Sequence, residues 1–194
     1  WKLGMAYWIE IVQSRTFHVY EYYGGAVRNA GGGIAAGFFL RGVVLALIDD
    51  PLGIIIVAGG MSDEGMLGAD CYRYDPAADR WSVIGSLSTP RTGVAAAVLG
   101  ERVWIIGGSN GTPSEKVDVY DAVGGGWSAG PELTEPLWQA TAAAFGGRVW
   151  VMGGVDAALL RSDRVYSAGP DGVWRVESAL PGALSAAAAV ATSA

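Results

Sequence analysis

Few residues in this chain are equipped for nucleophilic, acid–base or metal chemistry. Cys71 is the only cysteine and His18 the only histidine, so a disulfide framework, a Cys/His zinc site and a Ser-His or Cys-His relay all lack the side chains they need. No catalytic residue, metal ligand or cofactor is assigned from the sequence. Cys71 lies in a strand-like stretch and is read as a small buried hydrophobe. His18 has no visible partner and is read as a surface or satisfied core histidine. Gly31-Gly32-Gly33-Ile34-Ala35-Ala36-Gly37, followed by apolar residues 43–48 and Asp49, has the outline of a dinucleotide fingerprint. In such a site glycines let backbone N–H groups approach a pyrophosphate and an acid holds a ribose. No apolar strand precedes Gly31, and the helix it would open is only about seven residues long. Nucleotide binding through residues 31–49 is therefore the weakest function considered.

Charge and composition narrow the field further. Thirteen Lys and Arg against 19 Asp and Glu give a formal net charge of −6, which leaves no cationic field to neutralise phosphates and excludes nucleic acid as a partner. The 194 residues are 51% hydrophobic and 16% charged, enough apolar matter for one domain or a short repeat array. Thirty glycines with 8 Trp and 8 Tyr indicate short strands joined by tight turns and anchored by aromatics. Residues 31–48 are apolar enough to raise a membrane span, but Arg41 near the centre and three leading glycines fit a buried strand with its lead-in loop instead. The chain opens on Trp1, and residues 3–14 are mixed rather than the apolar core of a signal peptide. These fragment-like ends suggest a piece of a longer chain. Cysteine usage fixes no compartment.

The elements that must position any site emerge from self-comparison. Shifted by 46 residues, Arg102-Val103-Trp104-Ile105-Ile106-Gly107-Gly108 falls on Arg148-Val149-Trp150-Val151-Met152-Gly153-Gly154, and Tyr120 falls on Tyr166. An earlier copy runs through Ile54-Ile55-Ile56-Val57-Ala58-Gly59-Gly60 to Tyr74 and Trp81. Each unit predicts four short strands. A small-residue strand (43–48, 94–99, 140–145, and again 186–191) precedes a β-branched strand ending in Gly-Gly, then a strand ending at Tyr and one opening at Trp. Such a sheet cannot cover both its faces alone, and radial repetition both packs the sheets and limits exposed edges. Alanine suits the convergent hub, while Tyr and Trp fill the widening gaps; Trp104 and Trp150 repeat in phase and are read as structural. The glycine pair marks a positive φ or a close backbone approach.

In this spacing, a Tyr 13–15 residues after Gly-Gly and a Trp 7 or 8 further on, the chain resembles the kelch repeat over about residues 41–194. The resemblance implies an all-β fold, a kelch-type β-propeller of four-stranded antiparallel blades, partial or small, with about three to four blades. The expected repeats are 41–90, 91–136 and 137–183, with the first strand of a further blade at 184–194. Residues 1–40 are a degenerate segment in which residues 6–11 and 18–22 read as the second and third strands of a decayed blade. Two forms are open: truncation of a longer propeller, or four blades closed by pairing of the two termini.

The resemblance further implies a binding face formed by the loop after each Gly-Gly and the turn leading into each first strand. Here these present Met61, Ser62, Asp63 and Glu64; Ser109 and Asn110; Val155 and Asp156; and, from the lead-ins, Arg41, Arg91, Thr92, Leu137 and Trp138. Arg91 matches a position where peptide-binding kelch domains aim an arginine at the central pocket, a guanidinium fork suited to carboxylates. A salt bridge or packed stem is the equal alternative for Arg91, and the next copies carry Leu137 and Leu184 there. Trp138 is read as an exposed stacking platform in preference to an interblade filler. Asp49-Asp50-Pro51 reads as a hairpin turn, and Asn110-Gly111-Thr112 fits a glycosylation sequon that turn chemistry alone explains. The expected function is an interaction module for a protein segment or a small polar ligand such as a sugar, in which catalysis is not required. The alternative is a kelch-fold enzyme acting on sugars, as sialic acid mutarotases do; the copper chemistry of galactose oxidase lacks its imidazole ligands here.

Overall fold

The computed structural model describes four N-terminal strands by their backbone, residues 55–189 apart from 63, 76 and 77, and residue 191. Arg41 and Asp63 of the expected face, and most of residues 31–49, lie outside the described residues. The chain divides into two compact units, Trp1–Ala35 and Ala36–Ala194. The first is an antiparallel meander of β1 (Tyr7–Val12), β2 (Thr16–Tyr23) and β3 (Ala26–Asn29). His18 lies on β2 opposite Glu10 in the register.

The second unit holds three four-stranded antiparallel meanders. They are β4 (Val44–Leu47), β5 (Ile55–Ala58), β6 (Asp70–Asp75) and β7 (Arg80–Ser86); β8 (Ala95–Leu99), β9 (Arg102–Ile106), β10 (Val117–Asp121) and β11 (Gly126–Ala129); and β12 (Thr141–Phe145), β13 (Arg148–Met152), β14 (Val165–Ala168) and β15 (Trp174–Val176). Among the described residues there is no helix long and apolar enough to cross a membrane. The described part of the glycine-led stretch, β4, pairs with β5 as a strand. That pairing is antiparallel, whereas the fingerprint belongs to a parallel βαβ unit; its glycines at 31–37 lie outside the described residues.

The repeated order follows from side-chain alternation. On β9, Val103 and Ile105 face the first sheet and pack with Ile56, Ala58 and Cys71. Trp104 and Ile106 face the third and pack with Ala142, Val149, Val151 and Trp174. A strand buried on both faces needs apolar residues at every position, which is why β9 reads as a continuous apolar run after Arg102; on β13 Val149 and Val151 are buried while Trp150 and Met152 are half-buried. The inner strands lie side by side, β8 between β4 and β12. Ala95, Ala96 and Ala97 are all buried there, so small side chains permit close convergence, as the sequence predicts.

One expected strand is not formed by the described residues. Residues 186–191 repeat the alanine pattern but, where described, are not a strand. Leu184 and Ala186 still dock as their counterparts do, through a bridge to Ser162 and a bond to Gln139. A strand needs a ladder partner, and among the described residues none pairs along 186–189.

Candidate binding face

The joint between sheets is built from main-chain atoms. The second glycine of each pair donates its N–H to the carbonyl of the residue entering the next repeat: Gly60 to Arg91 (3.0 Å), Gly108 to Leu137 (2.8 Å) and Gly154 to Leu184 (2.8 Å). The first glycines have φ of 68, 64 and 64°. A Cβ at Gly59 or Gly153 would stand 2.6 Å from the same carbonyl oxygen, and one at Gly107 would overlap it. Both reasons for glycine therefore apply at once.

A second set of bonds ties the entries to one another. Gln139 donates its backbone N–H to the Gly93 carbonyl (2.9 Å), and Ala186 to the Gln139 carbonyl (2.9 Å). All three residues have left-handed backbones, with φ of 63, 55 and 54°. Glycine is the unstrained choice in the first copy, and the other two copies carry strain of order 1 kcal/mol each. Sequence reasoning missed Gln139 and Ala186; alignment of both with Gly93 is the signal.

These joints collect the loops at one end of the three sheets and rigidify them. Thr92 and Ser109 exchange backbone bonds of 2.9 and 2.8 Å, as do Trp138 and Val155 at 2.9 and 2.6 Å. The structure thus brings together two expected pairs, one per repeat. Met61 bridges to Leu67 within its own loop, where Ser62 Oγ accepts the Met66 N–H at 3.2 Å. Asp156 is a loop staple: its Oδ1 accepts the Ala158 and Leu160 N–H groups at 2.9 and 3.0 Å. That turn lifts Leu159 (φ 61°) and Leu160 into solvent, 67% and 63% exposed. Met61, Met66, Asn110 and Glu64 are exposed as well, while Ser109 and Val155 are buried beneath the loop tips.

At two expected positions the structure selects between readings. Arg91 is buried, and its NH1 pairs with Asp118 Oδ2 at 2.7 Å while Nε donates to the Gly107 carbonyl at 2.8 Å. NH1 and NH2 also donate to the carbonyls of Thr89 (3.3 Å) and Ile105 (3.4 Å). Asp118 in turn accepts from the Ser88 N–H and hydroxyl. The salt-bridge alternative holds for Arg91, and the guanidinium is turned inward to tie the connector at Thr89 to Gly107, Ile105 and Asp118 of the second repeat. An exposed cation at this end is Arg161, whose Nε reaches Ser185 Oγ at 3.4 Å. Trp138 is half-buried, its indole lying over Gly93 of the preceding repeat, with its N–H buried and unpartnered. Only part of its ring remains available for stacking.

Aromatic seams close the outer edges. Trp127 Nε1 donates to the Ile84 carbonyl (2.9 Å) and Trp174 Nε1 to the Pro131 carbonyl (2.8 Å), each reaching into the preceding sheet. Trp81 and Trp127 also lean on the Tyr of their own sheet, with ring centroids 5.0 and 5.1 Å apart.

The sequence profile of the kelch motif matches residues 90–134, the second sheet with its entry and exit. The second repeat matches the kelch motif. Human Kelch-like protein 4 is 44% identical over 55 residues, 27% of this chain and 8% of that protein. The mouse influenza virus NS1A-binding protein homolog is 40% identical over 63 residues, 30% of this chain and 9% of its own length. The matches to these curated relatives therefore span less than a tenth of their length. The solved structure of YjhT superposes with a TM-score of 0.61 at 15% identity, covering 86% of this chain and 60% of that one. The fold is thus a kelch β-propeller of four-stranded blades, and the sheets are its blades.

Proposed function

We propose that this kelch array is a protein-interaction module that presents the loops following Gly-Gly to an apolar segment of a partner protein. One observation carries the reading: the third-blade loop is stapled by Asp156 so that two adjacent leucines stand in solvent, one of them on a left-handed backbone. Exposed apolar side chains on a rigid, locally strained tip resemble binding anchors, which work by being preorganised. Met61 and Met66 add soft apolar surface of the kind adaptable binding faces use. Thr92, Ser109, Asn110, Trp138, Val155 and Asp156 frame and hold the tips, and Arg161 supplies a cation beside the leucines. The name of the NS1A-binding relative speaks of protein binding, in keeping with this use of the repeat.

The test is a selection of displayed random linear peptides against the full chain, followed by binding to a variant carrying Leu159→Ser and Leu160→Ser. Selected peptides should lose most of their affinity for the variant while its melting stays within about 0.5 kcal/mol of wild type. Peptides that bind both proteins equally would place the interaction elsewhere.

A further inference from the structure

The second-blade loop carries a further feature at residues 109–111. Asn110 is the only asparagine followed by glycine in the chain, and both residues are exposed at the loop tip. Gly111 has φ 118°, and a Cβ there would meet nothing within 4 Å. The backbone nitrogen that follows Asn110 therefore belongs to a residue with open space beside its Cα. One restraint acts on it: the Gly111 N–H donates to Ser109 Oγ at 3.1 Å. Ser109 is itself fixed, buried and bridged to both Thr92 and Pro113.

We propose that Asn110 is a site of spontaneous deamidation whose rate is set by Ser109. The Gly111 nitrogen loses its proton and attacks Asn110 Cγ. The new C–N bond forms as the Cγ–Nδ2 bond breaks, ammonia leaves, and a five-membered succinimide remains. Water then opens either carbonyl of the ring, giving aspartate or isoaspartate; the net change is uptake of water and loss of ammonia, with no oxidant or reductant. Ser109 Oγ opposes the first step because it holds the proton that must depart and fixes the amide in its present direction. Asparagine is among the thermally labile side chains, and a glycine successor removes the steric barrier to ring closure. The product places a negative charge on the loop face. In the isoaspartate form it also adds a backbone methylene between Ser109 and Pro113, lengthening a segment that the bridge holds at fixed span.

The experiment incubates the full chain, Ser109→Ala and Ser109→Thr at mildly alkaline pH and follows the peptide containing Asn110 by mass spectrometry, with melting measured for each protein. Wild type should gain one mass unit at Asn110, split between aspartate and isoaspartate. Ser109→Ala should react about fivefold faster, the factor expected from loss of one neutral hydrogen bond. Ser109→Thr keeps the hydroxyl and should react at the wild-type rate. The proposal is overturned by a wild-type chain that stays unmodified while its urea-unfolded form deamidates, or by equal rates in wild type and Ser109→Ala. It is equally overturned if Ser109→Thr reacts as fast as Ser109→Ala.

Discussion

Arg91 and Asp118 show how a side chain's role is set by its neighbours rather than its type. Removing the guanidinium would strand a buried carboxylate and leave the Gly107, Thr89 and Ile105 carbonyls short of a donor. Arg91→Ala should therefore cost about 3–5 kcal/mol, read as a lower melting temperature. The double variant Arg91→Met with Asp118→Leu should recover most of that loss, because an apolar pair needs no mutual neutralisation. Cys71 is the opposite case, a reactive type made inert. Burial pushes its thiol from 9.0 up to about 12, and its Sγ donates to the Ala69 carbonyl at 3.5 Å. The native chain should resist thiol reagents at mildly alkaline pH and react once unfolded. The raised thiol also works against the fold in base: its contribution is complete below about 9, the unfolded value, and is lost as pH climbs toward about 12.

At the scale of elements, the glycine pairs set the limit on what each turn tolerates. Gly107 combines a positive φ with a neighbour that cannot retreat, the Leu137 carbonyl of the next entry. Gly107→Val should destabilise by about 3 kcal/mol or more, measured by denaturant unfolding. Gly100 is the control: its φ is similar at 61°, but a Cβ meets nothing within 4 Å, so Gly100→Ala should cost only about 1 kcal/mol. Similar penalties at both sites would mean that backbone angle alone, and not the joint, governs these turns. The strand order was legible in advance because glycine pairs, tyrosines and tryptophans recur in phase. That residues 186–189 form no strand was not, since an alanine run spells a hub strand only when a partner strand lies beside it. Arg91 was equally opaque. Its counter-ion, Asp118, sits where the other repeats carry Tyr72 and Arg164, so no periodicity announces the pair.

Across the whole repeat unit, the interblade seams predict where stability resides. Trp174 is 8% exposed and bonded to the preceding blade, whereas Trp81, its counterpart in the first blade, is 51% exposed. Trp174→Ala should cost about 3–5 kcal/mol and Trp81→Ala about 1 kcal/mol, a contrast that thermal unfolding of the two variants would reveal. Equal losses would show that repeat position, not the seam, decides a tryptophan's contribution. The loop face was partly legible in the same way. The places of the loops followed from the repeats, but the leucine tip of the third loop depends on a single aspartate bonding its own turn, which only coordinates display.

The donor–acceptor link from each second glycine to the following entry has a consequence for how such arrays grow. Because the link uses main-chain atoms alone, it is indifferent to whether an arginine or a leucine stands at the receiving position. A gene can therefore gain or lose a whole copy, and the newly adjacent units will still find each other's amide and oxygen in place. Side chains are left at liberty to diverge toward new partners while the splice itself stays mute to their change.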